Sequence, residues 1–237
     1  MMITHTEIST PLYAVIDLGS NSFHMLITRQ LANSVQVVDK VKRKVRLASG
    51  LSAQNQLSKS AIARGLECLQ FFAERLQDIP QENIRIVATA TLRIATNRDE
   101  FLSKANDILG QPINLLSGKQ EAENIYLGVA HTSCGAKQRF VIDIGGASTE
   151  LILGNGFTTQ QVESLNIGCV TFKKQFFTDE KLSTNNFAQA INAAALQIKP
   201  LVTSYQKIGW QAVASGFRRP TIRYRFSRLS AGNLWFP

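Results

Sequence analysis

Cysteine is scarce in this chain of 237 residues. Cys68, Cys134 and Cys169 are isolated, with no CxxC spacing, so neither a disulfide framework nor a zinc–thiolate site can be built from them. They read as buried or incidental thiols. Histidine is equally sparse. His5, His24 and His131 show no metal-ligand spacing and read as structural or incidental. No apolar run approaches the ~18–20 residues of a membrane helix. The opening MMITHTEISTPLYAV has no basic stretch, apolar core or small-residue cleavage site of a secretory signal. The expectation is a cytoplasmic protein with no membrane partner. Acid is missing from residues 217–237, which hold five Arg and so contribute five of the nine net positive charges. The remaining bias is mild. It suits polyanionic ligands, but it equally suits plain solubility, and nothing in its pattern marks a specific nucleic-acid partner.

What is present is an ordinary globular composition, 44% hydrophobic and 18% charged, enough for one large domain or two small ones. Strands are expected at Tyr13–Asp17, Phe23–Arg29 and Val35–Val41, then a helix over about 58–77 whose Ile62, Leu66, Leu69, Ala73 and Leu76 share one face. Ile84–Ala90 reads as a strand. Asn97 reads as the cap of a short helix closed by Gly110, Pro112–Leu116 as a short strand, and Ser117–His131 as a further helix. The pattern then restarts: strands at Phe140–Asp143, Thr149–Leu153 and about Phe157–Ser164, with a tight GNG turn at 154–156. A helix follows from about 185, kinked at Pro200, and a strand begins at Trp210.

The restart is sharpest in two stretches, VIDLGSNS at 15–22 and VIDIGGAS at 141–148. Each is an apolar strand that ends in Asp and runs into a Gly/Ser turn. This is an internal repeat too long for a solenoid. Two similar α/β lobes facing each other would place both turns across a shared cleft, in an α/β fold with mixed sheets. In the first turn, Gly19-Ser20-Asn21-Ser22 allows a close approach of backbone to ligand and offers N–H and hydroxyl donors to an anion. An acid beside a phosphate cradle is repulsive unless a cation lies between, so Asp17 suggests Mg²⁺. The second turn repeats the logic with Gly145-Gly146-Ala147-Ser148-Thr149, where Asp143 and Glu150 are candidates to position a metal or water. One such turn alone would be an ordinary hairpin; two in matching contexts argue for a phosphate clamp.

Three further features bear on that clamp. Arg93, in ATATLR, follows a strand and could fork onto two phosphate oxygens, or be merely solvated. SGKQEAENIY at 117–126 fits a capping box through Ser117 and Gln120, which leaves Glu121 unexplained. Glu121 sits in the first helical turn, where the helix dipole favours its ionised form and a water-activating role is open to it. Lys40, Lys42, Lys44 and Arg46 alternate with Val41, Arg43 and Val45, as a basic lane for a polyanion or the solvated face of an edge strand.

With these residues in hand, YAVIDLGSNSFHMLI, VATATLR, SGKQEAENIY and VIDIGGASTELI resemble the successive motifs of the exopolyphosphatase/guanosine-pentaphosphate phosphatase (Ppx/GppA) family, from about Leu12 to Trp210. RKVRLASGL, ATATLR and DIGGASTE are closer to the guanosine-pentaphosphate branch. The resemblance implies the acetate and sugar kinase/heat-shock 70/actin (actin-like ATPase) fold with two RNase H-like lobes. It also implies Mg²⁺-dependent hydrolysis of a terminal phosphoanhydride of polyphosphate or of pppGpp, and a tendency to form homodimers. It carries Asp17 through Ser22 onto the first phosphate loop, Arg93 onto the phosphate-binding arginine, Asp143 through Glu150 onto the second loop with its metal-side carboxylates, and Glu121 onto the catalytic glutamate. Gln120 stands where the family usually has a first Glu.

The end departs from the family pattern. ASG at 214–216 leads into a basic stretch instead of a third Gly/Ser phosphate turn, which reads as a frameshift or premature end, or else as a polyanion-binding tail. The expected division is a first lobe over 1–132, an incomplete second lobe over 133–216 and an aberrant tail over 217–237. Besides a hydrolase, the chain could be a fragment that binds nucleotide or polyphosphate without turnover. A kinase of the same fold is a third reading.

Overall fold

The computed structural model describes residues 10–32, 34–133, 138–207 and 210–216, the stretch 211–216 by its backbone. His5, Cys134 and the 217–237 tail lie outside them. The chain forms two compact units that meet in sequence between Leu115 and Leu116.

The first unit holds a five-stranded sheet in the order β3-β2-β1-β4-β5, built from β1 (Leu12–Leu18), β2 (Phe23–Leu31), β3 (Ser34–Arg43), β4 (Ile84–Ala88) and β5 (Asn114–Leu115). β1, β2 and β3 form an antiparallel meander; β4 lies parallel to β1 and β5 parallel to β4. Alternation sets the faces. Ala14, Ile16 and Leu18 of β1 and Phe23 and Met25 of β2 turn inward, and helices α1 (Lys59–Ala73) and α3 (Arg98–Leu109) cover them with Leu69, Phe72 and Phe101. The opposite face carries Tyr13, Val15 and Val37 in the open. Ser58 caps α1, accepting from the Ala61 N–H.

Two expectations for this unit change. Asn97 does not cap α3 with its side chain. Its amide instead accepts from the Leu57 N–H at 2.7 Å and donates to the Leu57 carbonyl at 3.0 Å, pinning a loop 40 residues away. A helix unforeseen in the sequence, α2 (Ala90–Ile94), follows β4 directly. Gly110 closes α3 in the left-handed region as expected.

Cys68, on α1, is almost fully buried, and this pushes its thiol up to about 11; nearby Arg43 pulls the other way and Glu67 adds a little. The folded value lies above the usual 9, so the folded state keeps its proton longer than the unfolded chain. Stability supplied by the neutral thiol is therefore complete below about pH 9 and is lost as pH rises towards 11. Urea midpoints measured across that window should fall in the parent chain and fall less in Cys68→Ala.

The second unit repeats the first. Its sheet runs β8-β7-β6-β9, from β6 (Gln138–Ile144), β7 (Thr149–Asn155), β8 (Thr158–Leu165) and β9 (Gln211–Gly216). Again the first three strands form an antiparallel meander, and the next strand joins parallel to the first. Gly156, at φ +59°, makes the GNG turn. The helix α4 (Gly118–Thr132), which the sequence reading assigns to the first lobe, packs on this sheet: Ala122, Tyr126 and Ala130 meet Val141 and Ile152. The Tyr126 hydroxyl donates to the Gly156 carbonyl. The division between lobes thus falls before α4 rather than at 132/133, because the small-and-aromatic face of α4 matches the second sheet.

On the other face, α5 (Cys169–Phe176), α6 (Thr184–Ile198) and α7 (Val202–Gln206) follow β8, with the 3₁₀ turn Lys199–Leu201 at Pro200 where a kink is expected. Tyr205 is buried there against Leu151 and Leu153, its hydroxyl donating to the Leu151 carbonyl, and burial raises its phenol well above the usual range. Trp210 packs against Phe140 of β6 with ring centroids 4.8 Å apart and planes tilted by 53°, and donates its indole N–H to the Tyr205 carbonyl. The two units share the mixed-sheet plan of the actin-like ATPase fold.

Candidate active site

Ligands of open α/β sheets bind beyond the carboxyl ends of parallel strands. In the first unit these are the ends of β1 and β4, paired through Leu18 and Ala88. The turn Gly19–Ser22 leaves β1, and Thr89 and α2 leave β4. Gly19 is required here, since a Cβ would stand 2.7 Å from the Ser22 carbonyl oxygen. Backbone N–H groups of Arg46 and Ala48 donate to the Asn21 and Ser20 carbonyls and brace the turn from outside. Ser20 and Ser22 are buried. The Ser22 hydroxyl and that of Thr91, in α2, have no hydrogen-bond partner among the described residues. Buried orphan hydroxyls are costly, so their presence beside this turn fits a site that receives oxygen-rich ligands. Arg93 lies in the last turn of α2, half-buried.

Asp17 and His24 stand directly opposite on β1 and β2, and His24 Nδ1 lies 3.3 Å from Asp17 Oδ2. By residue type alone His24 reads as structural or incidental. The signal was available: in the two repeats His24 occupies the place of Glu150.

The second unit places its residues by the same rules. Asp143 and Glu150 are directly opposite on β6 and β7, on one face of the sheet. Glu150 is buried to 1% exposure and accepts a hydrogen bond from the Ser164 hydroxyl at 2.9 Å. The turn between them is folded by the Gly145 N–H, which donates to the Ser148 carbonyl. The amide groups of Cys169, Val170 and Thr171, at the start of α5, donate to the Gly145 and Gly146 carbonyls. Gly146, Ala147, Ser148 and Thr149 are all buried, and the Thr149 hydroxyl donates to the Ile167 carbonyl. Backbone pairing sets Ser215 of β9 beside Asp143 and Gly216 beside Ile144, so the ASG segment lies at this end of the sheet.

α4 packs on the Asp143/Glu150 face, since Val141 and Ile152, two residues from each acid, belong to the same cluster as Ala122 and Tyr126. Glu121 is in the first turn of that helix. The regrouping of α4 therefore brings Glu121, Asp143 and Glu150 into one unit. Among the described residues no three His, Cys, Asp or Glu side chains gather into one metal-sized cluster. Two facing carboxylates repel unless a cation or donors intervene. Asp143 and Glu150, with all-oxygen donors, thus fit a hard divalent ion such as Mg²⁺.

Ser117 and Gln120 form the expected capping box. The Gln120 N–H donates to Ser117 Oγ at 3.2 Å, and the Ser117 N–H to Gln120 Oε1 at 2.9 Å. Ser117→Ala should lower the unfolding free energy by about 1 kcal/mol. Chemical denaturation should show a shifted midpoint at constant slope.

A hollow of about 440 Å³ on the first sheet, with Tyr13, Thr28, Gln30 and Val35 in its lining, sits at the end of β1 away from Asp17 and has no charged lining. It is not part of this site.

The sequence pattern of the Ppx/GppA phosphatase family matches residues 26–231. The chain belongs to that family. The match runs on through residue 231, so the Ppx/GppA pattern extends past 216, where the reading of the tail expects it to stop. The chain is 60% identical over 202 residues to the guanosine-5'-triphosphate,3'-diphosphate pyrophosphatase of Vibrio parahaemolyticus, and 57% identical to that of Photobacterium profundum. Each match covers 85% of this chain and 41% of the relative. The chain spans about two-fifths of the length of these curated relatives. Among solved structures, an exopolyphosphatase-like protein superposes with a TM-score of 0.75 at 27% identity, covering 81% of this chain and 61% of that one. An exopolyphosphatase from Cytophaga hutchinsonii superposes with a TM-score of 0.76 at 22% identity, over 86% and 66%, a likeness of fold. No helix among the described residues is long and apolar enough to cross a membrane.

Proposed function

We propose that this chain carries the phosphate-handling residues of a phosphoanhydride hydrolase that removes the terminal phosphate of pppGpp, giving ppGpp, with inorganic polyphosphate as a second substrate. The observation that carries the reading is the facing pair Asp143 and Glu150, with the helix bearing Glu121 packed on the same face. The relatives' names favour the guanosine substrate.

In this reading each unit offers donors to phosphoryl oxygens by itself, the first through the turn 19–22 and the charged fork of Arg93, the second through the turn 145–149. Asp143 and Glu150 of the second unit would hold Mg²⁺. Bound there, Mg²⁺ supplies charge neutralisation on the phosphoryl group. Glu121 orients a water and accepts its proton as the water oxygen bonds to the terminal phosphorus. The bond to the bridging oxygen breaks, and the shortened chain leaves with that oxygen's electron pair. Such chemistry is mainly positioning and electrostatic stabilisation, which the residues present can supply. We place the enzyme in the cytoplasm and leave open a homodimer.

The test is orthophosphate release by the purified chain with pppGpp and long-chain polyphosphate in parallel, with Mg²⁺ and with chelator. Release that needs Mg²⁺ is the expected result, and the faster substrate names the branch. Binding of either substrate without release would leave the alternative of a non-catalytic phosphate-binding fragment.

A further inference from the structure

On the second sheet one row of side chains crosses three strands. Asp143 of β6 is opposite Glu150 of β7, and Glu150 is opposite Ser164 of β8. Residues opposite each other in a sheet share a face. Val162, two positions before Ser164, packs with Ala122 and Tyr126, so the row stands on the side that α4 covers. Within the row the Ser164 hydroxyl donates to Glu150 Oε1 at 2.9 Å, and Glu150 is 1% exposed. The corresponding row of the first sheet reads Asp17, His24 and Lys42. Its third residue is a cation. A cation beside Glu150 would supply positive charge itself, in competition with a metal ion. A hydroxyl brings a donor and no charge. It fixes one oxygen of the carboxylate and leaves the charge of the acid pair as it is.

Mg²⁺ demands short bonds and near-octahedral geometry, so a carboxylate that swings freely about its side-chain bonds binds it poorly. Glutamate has one more such bond than aspartate. Ordering it costs free energy at the moment of binding unless the protein has already done so. We infer that Ser164 is a positioning residue, which holds Glu150 in the orientation in which Glu150 and Asp143 take a divalent cation. This rests on the reading of that pair as the metal site. Ser164 acts through Glu150 and takes no part in bond breaking.

The test is calorimetric titration of the full chain with Mg²⁺ alone, without substrate, beside thermal melts with and without the ion. Ser164→Ala and Ser164→Cys should each weaken Mg²⁺ binding about tenfold or more, the range lost when a hydrogen-bond partner of a metal ligand is removed. Cysteine fills nearly the same space and is a weak donor, so its loss belongs to the bond and not to a cavity. Ser164→Thr keeps the hydroxyl and should stay within about twofold of the parent. Ser204→Ala is the control. It removes a hydroxyl that accepts from Gln161 of the same strand at 2.8 Å, and it should leave Mg²⁺ affinity unchanged. The rise in melting temperature on adding Mg²⁺, taken from each variant's own metal-free value, should shrink in Ser164→Ala and Ser164→Cys and persist in the other two. A merely structural Ser164 would lower the metal-free value and leave that rise intact. Parental Mg²⁺ affinity in both Ser164→Ala and Ser164→Cys, or equal losses in Ser164→Ala and Ser204→Ala, would overturn the inference while leaving the acid pair as a metal site. Absence of Mg²⁺ binding by the parent would instead overturn the reading of the pair, and this inference with it.

Discussion

Glu121→Gln should lower Mg²⁺-dependent phosphate release by about 10²- to 10⁴-fold, the range lost when a general base is removed. The substitution keeps the shape of the side chain. It also keeps the Glu121 backbone bond to the Ser117 carbonyl and the capping box one residue away. The favourable charge at the helix N-terminus, which the substitution removes, is worth about 0.3–1 kcal/mol. Activity and stability should therefore separate: steady-state phosphate release collapses while the denaturation curve barely moves, and substrate affinity measured without turnover persists. A variant that still releases phosphate at half the parental rate would remove Glu121 from the chemistry and shift attention to Asp143 and Glu150.

Gly168→Ala should damage both properties together. A Cβ at residue 168 would stand 2.4 Å from the N, Cα and C atoms of Ala147, all backbone of the second turn. Flexible neighbours could yield, but this backbone is already held by the amide bonds from Cys169, Val170 and Thr171. Either the turn moves or α5 does. Overpacking of this kind costs about 1–3 kcal/mol. Because the displaced atoms belong to the phosphate turn, release should fall at least about tenfold in protein that remains folded, as expected for a misplaced donor set. Gly128→Ala is the contrast. Nothing lies within 4 Å of its added methyl, and it sits inside α4. It should stabilise the helix by up to about 1 kcal/mol and leave release unchanged. Thermal melts and phosphate assays on the pair check both statements.

The hairpin repeats were legible because strand alternation, the Asp before each turn and the Gly/Ser composition are all local. So were the capping box at Ser117 and the stop at Gly110. What escaped the sequence depended on distant partners. Asn97 is a good cap by type, yet Leu57 offers its amide two backbone bonds at once. Chain order put α4 with the strands before it; its Ala122, Tyr126 and Ala130 face fits the sheet that comes after. His24 differs from Glu150 in residue type, which hides the fact that its position in the repeat is the same. The basic lane looked regular as letters, but alternation holds only while the strand lasts, and this strand stops at Arg43. The Thr91 hydroxyl could not be suspected before its burial was known. The proposed site residues were thus readable by type and spacing. Their grouping into units was not, since it is decided by which sheet each helix face fits.

Trp210 gives the second unit an optical property of its own. Its indole packs at a tilt against Phe140, in the strand that carries Asp143, and is tethered to the carbonyl of Tyr205, whose hydroxyl holds the neighbouring strand. Its emission is therefore coupled to the spacing of β6 and β7, the two strands that carry the facing acids. In a chain whose other tryptophan, Trp235, is replaced by Phe, light from one ring would follow the state of that sheet without any label.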